Sequence, residues 1–244
     1  MTKEQWQAFS TFRAEFRKKT NDWMQFAPEL IPLEKNAAEK DTPPYPLQTP
    51  VVYNRALDEI TPETDIKLIV IGDNPGKDEQ LEKNNKYLVG QSGKIAEGFF
   101  RRNSELDTDF RKNVIILNKT PVHTAKTNHL KALSQNSGQI ADLIQKSQLW
   151  MAEHTAKLHQ ELASGGTELW LVGYSELKDK GIFTSYRDAL YKAYANNPVA
   201  WNSVYVFQHF SMNRFLIDLT AYQEKHKSKM LNEAIHELGA IHRG

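Results

Sequence analysis

The chain has 244 residues, 40% of them hydrophobic, with 31 basic residues against 30 acidic ones and a formal charge of +1 at pH 7. That length supplies a sizeable core, in one large α/β domain or two small ones. The near-zero balance argues against a strongly basic nucleic-acid binder and leaves only a local basic face open. There is no cysteine, which excludes disulfides, a thiolate nucleophile, an iron–sulfur cluster and a cysteine zinc site together. No apolar run is long enough to span a membrane and the N-terminus lacks a signal-peptide pattern, so the expected setting is the cytoplasm.

Trp6, Phe9, Phe12, Phe16 and Trp23 recur at helical spacing over residues 3–25 and predict an amphipathic helix lying on the main domain. Pro28, Pro32, Pro43, Pro44, Pro46 and Pro50 follow within a short span, which reads as an irregular surface connector. Strands then alternate with helices. Residues 67–72, 113–118, 168–173 and 203–208 are apolar runs of strand length, and residues 92–102, 139–162, 185–195 and 213–224 read as helices. Strand followed by helix, four times over, predicts a three-layer α/β/α sandwich with a central four-stranded parallel sheet and right-handed crossovers. Met230, Leu231, Ile235, Leu238 and Ile241 predict a closing helix over 228–241. The whole of 1–244 reads as a single α/β domain, with the N-terminal helix and Pro-rich connector over 1–50 and the core over 66–226.

The chemistry concentrates at strand ends. The run Lys67-Leu68-Ile69-Val70-Ile71 reads as a buried parallel strand, and it enters the tight turn Gly72-Asp73-Asn74-Pro75-Gly76. Asp73 and Asn74 are thereby presented at the carboxyl end of a central strand, where open α/β sheets place their ligands. The second strand ends at Asn118, ahead of Lys119, and the fourth delivers His209 ahead of Phe210-Ser211-Met212-Asn213-Arg214. An acid, two amides and a histidine can share one cleft with no metal and no cofactor. Each also has a plain structural use: Asn118 to close a strand, Asp73 and Asn74 to cap a helix, His209 as a satisfied histidine. Lys119, His123, Lys126, His129 and Lys131 fall on one loop, which reads either as a local cationic patch or as a solvated charged loop.

These three motifs resemble those of the uracil-DNA glycosylase superfamily, in order and spacing over roughly residues 66–215. The first is similar to the Gly-x-Asn-Pro-Gly of the mismatch-specific and single-strand-selective branches. Its continuation, Lys77-Asp78-Glu79-Gln80 and then Val89-Gly90-Gln91-Ser92-Gly93, looks more like the iron–sulfur branch. The resemblance implies a monofunctional DNA glycosylase acting on uracil or a related deaminated base, without a lysine Schiff base. By that analogy Asn74 holds the attacking water, Asp73 orients it or balances the cationic sugar, and His209 donates to the oxyanion developing on the base. Asn118 reads the base edge, and Gly72, Pro75, Gly76, Tyr87 and Leu88 complete the base pocket. The base is flipped out of the stack, Met212 is the apolar wedge with Phe210 as second choice, and Arg214 meets flanking phosphates. Gln91, Ser92, Lys119, Ser211 and Asn213 complete the expected DNA contacts. DNA carrying the damaged base is the expected partner, and a monomer is the default.

Three features depart from the family pattern. The four cysteines of the iron–sulfur branch are absent. Leu88, preceded by Tyr87, stands where that branch has the aromatic that stacks on uracil, which leaves Tyr87, Phe99 or Phe100 to take over. Phe210 replaces the proline usual after the motif histidine. Two competing readings follow: a catalytically silent DNA- or protein-binding member of the same fold, and an unrelated α/β domain whose Gly72–Gly76 turn binds a small nucleotide. The chain has neither a Gly-x-Gly-x-x-Gly nor a Gly-Lys-Ser/Thr phosphate loop.

Overall fold

Short apolar runs bury both faces of a strand, and the computed structural model, which describes residues 1–244, forms its sheet from runs of four or five residues, those of β1 and β2 buried throughout. In chain order the elements are α1 (Lys3–Trp23), α2 (Ala27–Glu39), β1 (Leu68–Gly72), α3 (Gln91–Arg102), β2 (Val114–Asn118), α4 (His129–Asn136), α5 (Gly138–Ala163), β3 (Glu168–Val172), α6 (Thr184–Tyr194), α7 (Pro198–Trp201), β4 (Val204–Phe207), α8 (Arg214–Lys225) and α9 (Leu231–Arg243). The four strands are all parallel in the order β2-β1-β3-β4, with Gly72 in register with Asn118. Helices flank the sheet, as a three-layer α/β/α sandwich requires.

Each layer follows from side-chain spacing. Thr2 and Gln5 close a capping box at the start of α1. Its buried stripe of Phe9, Phe12, Phe16 and Trp23 lies against α5, where Trp150 stacks on Phe12 and Phe16 and meets Trp23 edge-on. On β3, Trp170 packs on Phe100 of α3, Phe207 of β4 and Phe215 of α8, and Phe110 and Phe210 extend that aromatic layer. The closing helix α9 lies on β4 so tightly that a Cβ on Gly239 would come within 2.6 Å of Tyr205 Cβ. No helix is long and apolar enough to cross a membrane.

Two elements differ from expectation. Pro28 and Pro32 do not lie in an irregular connector; they belong to α2. Pro28 occupies the first turn, where a missing N–H is harmless, and burial of Leu30, Ala37 and Ala38 carries the helix through Pro32. Part of the loop after β2 is the eight-residue helix α4, held by buried His129, Leu130 and Leu133. The remaining prolines lie in an extended strap. Gln80 fastens it: its Oε1 accepts from Gln48 N–H at 2.7 Å and Thr49 N–H at 3.2 Å, and its Nε2 donates to Pro46 O at 2.7 Å and Lys77 O at 2.9 Å.

Candidate active site at the carboxyl edge of the sheet

The chain passes from β1 to β2 on one side and from β2 to β3 on the other, so the topological switch lies between β1 and β3. Asp73 leaves β1 there and pairs with Lys119, which leaves β2. Lys119 is fully buried, and its ammonium donates to Asp73 Oδ1 at 2.5 Å, to the Val172 carbonyl at 2.5 Å and to the Gly72 carbonyl at 3.4 Å. The Phe183 ring closes over it, 4.9 Å from Nζ. Burial pulls the Lys119 pKa down, against the upward pull of Asp73. Gly173, at the end of β3, makes room for the pair: its φ is +96°, and a Cβ there would collide with Asp73 Oδ1 and lie 3.1 Å from Lys119 Nζ.

Asn74 is held by one side of its amide. Nδ2 donates to Thr124 Oγ1 at 2.8 Å, and that hydroxyl donates on to the Lys126 carbonyl at 2.8 Å. No protein donor meets Asn74 Oδ1, which leaves that acceptor for a water or substrate. The turn beneath is braced from behind by His123. Burial holds its pKa down at about 4, so the ring is neutral; Nδ1–H donates to the Pro75 carbonyl at 2.8 Å and Nε2 accepts from Tyr45 Oη at 3.0 Å. Glu79 is buried beside the same turn with its Oε2 left without a partner, and burial raises its carboxyl to about 7.

Asn118 is 2% exposed, and its Nδ2 is buried without any partner. A buried amide donor left unpaired costs about 1–3 kcal/mol, a cost that a ligand acceptor removes. Gly72 permits this placement, since a Cβ there would lie 2.5 Å from Asn118 Oδ1. His209 complements it. The Ser211 N–H donates to Nδ1 at 3.1 Å, which puts the ring proton on Nε2 and makes that nitrogen a donor. The His209 pKa is lowered, first by burial and further by Lys119 and Arg214, against Asp73. β2 and β4 stand three strand spacings apart, roughly 14 Å. The same edge of the sheet thus carries two donors, on the ends of β2 and β4, and a free amide acceptor after β1, which lies between those strands. No three His, Asp or Glu side chains gather as a metal site.

Several expected contacts are placed elsewhere. Lys119 is not a DNA contact: its ammonium is spent inside the protein. The cationic patch dissolves with it. His123 is buried and neutral, Lys126 and His129 both engage Asp41 of the strap, and Lys131 donates to the Lys180 carbonyl. Tyr87 does not face the site either: it is buried, its hydroxyl donates to the Val52 carbonyl at 2.6 Å, and it lines a cavity of about 650 Å³ on the outer side of β2. Leu88 is buried at φ +51°, its carbonyl taken by Arg111 at 2.8 Å and pressed against Gly93. Phe99 and Phe100 belong to the aromatic layer. Phe210 is buried there too, 5.1 Å from Phe215, and is no wedge.

Met212 is different. It stands 69% exposed on the loop after β4, at φ +53°, followed by Asn213 at φ +56°. Arg214 is exposed beside it, while the Ser211 hydroxyl is occupied by His209 Nδ1 at 2.8 Å. Gln91 and Ser92 open α3, one exposed and one half-buried. Sequence reasoning missed Gly173, Thr124 and Thr127, whose hydroxyl reaches Asp73 Oδ2 at 3.4 Å. Of these only Gly173 carried a signal, a glycine directly after an apolar strand.

Family models, curated proteins and solved structures were all compared with this chain, and none matches it.

Proposed function

We propose that this protein is a monofunctional DNA glycosylase that hydrolyses the N-glycosidic bond of uracil or a related deaminated base. The observation that carries the reading is the orphan Asn118 Nδ2, a buried donor with no partner at the same sheet edge as a His209 whose proton is fixed on Nε2. Two such donors suit a base with two carbonyl oxygens. Cleavage leaves negative charge on the departing base, and fixed donors in a dry site stabilise it. Water held at Asn74 Oδ1 adds to the sugar carbon as the bond to the base nitrogen breaks, and the departing base anion takes up the proton that the water gives up. Asp73 enters this scheme as half of a neutral pair with Lys119, so it shapes the turn and is not a free general base. Lys119 is buried with all three of its donors used and forms no Schiff base, so the product in this reading is an intact strand with an abasic position.

One observation favours a second reading. Tyr87, Phe99, Phe100 and Phe210 are all committed to the interior, so none of the four aromatics expected near the base is free to stack on it. That suits a DNA-binding member of the fold without turnover. An alkali-cleavage assay separates the two: labelled oligonucleotides carrying uracil, hypoxanthine or xanthine, single-stranded and opposite A or G. Nicking that depends on alkali and disappears in Asn74→Ala and His209→Ala supports the glycosylase. Binding without nicking on any substrate supports the silent member.

A further inference from the structure

We propose that the strap after α2 positions Asn74, acting through Asp41 and Tyr45 on the loop that follows β2. That Asn74 holds the attacking water rests on the glycosylase reading; the coupling does not. Hydrogen bonds supply every link. Two consecutive residues of the loop grip the Asn74–Pro75 turn. Asn74 Nδ2 donates to Thr124 Oγ1 at 2.8 Å, and the Pro75 carbonyl accepts from His123 Nδ1 at 2.8 Å and from the Thr124 N–H at 3.3 Å. The strap in turn holds the loop. Tyr45 Oη meets His123 Nε2 at 3.0 Å, and the Pro50 carbonyl accepts the His123 N–H at 2.8 Å. Lys126 Nζ donates to the Asp41 carbonyl at 2.9 Å and lies 3.1 Å from its carboxylate, whose other oxygen meets His129 Nε2 at 2.9 Å.

One proton decides which end of the Asn74 amide is left free. Thr124 has a single hydroxyl proton, and it goes to the Lys126 carbonyl at 2.8 Å. Toward Asn74 that oxygen can only accept, so it takes the NH₂ end and leaves Oδ1 without a protein donor. Displacing the Lys126 carbonyl releases the hydroxyl proton, and the amide is then able to turn over. Lys126 is tied to Asp41, so the strap sets the orientation of Asn74. Stability alone is a poor account of the Asp41 contacts. Both side chains are partly exposed, 40% for Asp41 and 47% for Lys126, and exposed ion pairs add little to stability.

The Asn74 side-chain amide is followed by NMR in ¹⁵N-labelled full-length protein, its signals assigned by their loss in Asn74→Ala. Asp41→Ala, Tyr45→Phe, His123→Leu and His123→Asn are compared with wild type. Gly166→Ala, which precedes β3 at the opposite edge of the sheet, is the destabilised control. Asp41→Ala and Tyr45→Phe are expected to shift the amide signals and speed their exchange with solvent by about tenfold or more, while Gly166→Ala leaves them in place. His123→Leu has the same effect, and His123→Asn, which keeps a donor for the Pro75 carbonyl, restores much of the wild-type signal. Where His123→Leu does not fold, the two strap variants decide. Amide signals unmoved in both strap variants, or moved equally in Gly166→Ala, overturn the proposal. Single-turnover kinetics on uracil-containing DNA form the second arm: both strap variants slow the step roughly tenfold with DNA affinity unchanged. Wild-type rates in both overturn the positioning role. Shifted amide signals in a chain inert on every base refute the glycosylase reading and leave the coupling standing. Base excision with unmoved amide signals does the reverse.

Discussion

Replacing Gly173 by alanine isolates the Asp73–Lys119 pair from ordinary backbone strain, because the chain supplies its own control. Gly173 and Gly166 have similar positive φ, +96° and +87°, but a Cβ on Gly166 meets nothing within 4 Å. Forcing alanine into this region costs about 1–2 kcal/mol at either position. At Gly173 the new methyl also strikes Asp73 Oδ1 and sits 3.1 Å from Lys119 Nζ. The buried carboxylate then has to move off its ammonium. Losing one partner of a buried pair costs roughly 3–5 kcal/mol, and a displaced partner costs part of that. Gly173→Ala is therefore expected to destabilise by about 3–5 kcal/mol and Gly166→Ala by about 1–2. For a chain of this size the first lowers Tm by roughly 6–20 °C and the second by roughly 2–8 °C. Urea unfolding of the two variants, read together, measures the difference. Equal losses would mean that the pair yields without cost and that Gly173 matters only for its backbone.

Glu79→Gln tests the buried carboxyl beside the first motif. With its folded pKa near 7 against an ordinary 4.5, the protonated Glu79 contributes stability at low pH that is lost as pH rises from about 4.5 to about 7. The variant lacks that loss, so wild type declines relative to it by on the order of 3 kcal/mol across this window, then runs parallel above it in urea titrations. Thr124→Val removes the acceptor that fixes Asn74 Nδ2 and is expected to slow excision roughly tenfold with binding unchanged, read by single-turnover kinetics. Met212→Ala is expected to lose about tenfold on duplex substrate and little on single strands, since only the duplex has a stack to open.

The sheet was legible because its strands are short apolar runs that end in Gly, Asn or a polar turn, and each lies within a residue or so of the expected span. The N-terminal aromatic helix was legible for the same reason, its period. Helix α2 was not, because Pro28 and Pro32 read locally as breakers and only packing against α4 outweighs them. In the site, Asn74, Asn118 and His209 lie at strand ends, which the strand pattern alone locates. Lys119 reads as a surface cation in any sequence, and its burial depends on acceptors from β1 and β3 that are distant in the chain. The fate of Tyr87 and Leu88 is just as non-local: Tyr87 is claimed by Val52, and Leu88 by Arg111 and Gly93.

Asn118, His209 and Asn74 are proposed to form a site that releases an intact base. The most direct measurement is mass spectrometry of the small molecules freed from a uracil-containing single-stranded oligonucleotide, for wild type and for Asn74→Ala. Wild type is expected to free uracil in step with abasic sites in an unbroken strand, and Asn74→Ala to free none. Strand breakage without free base, or the same release from Asn74→Ala, would contradict the proposal.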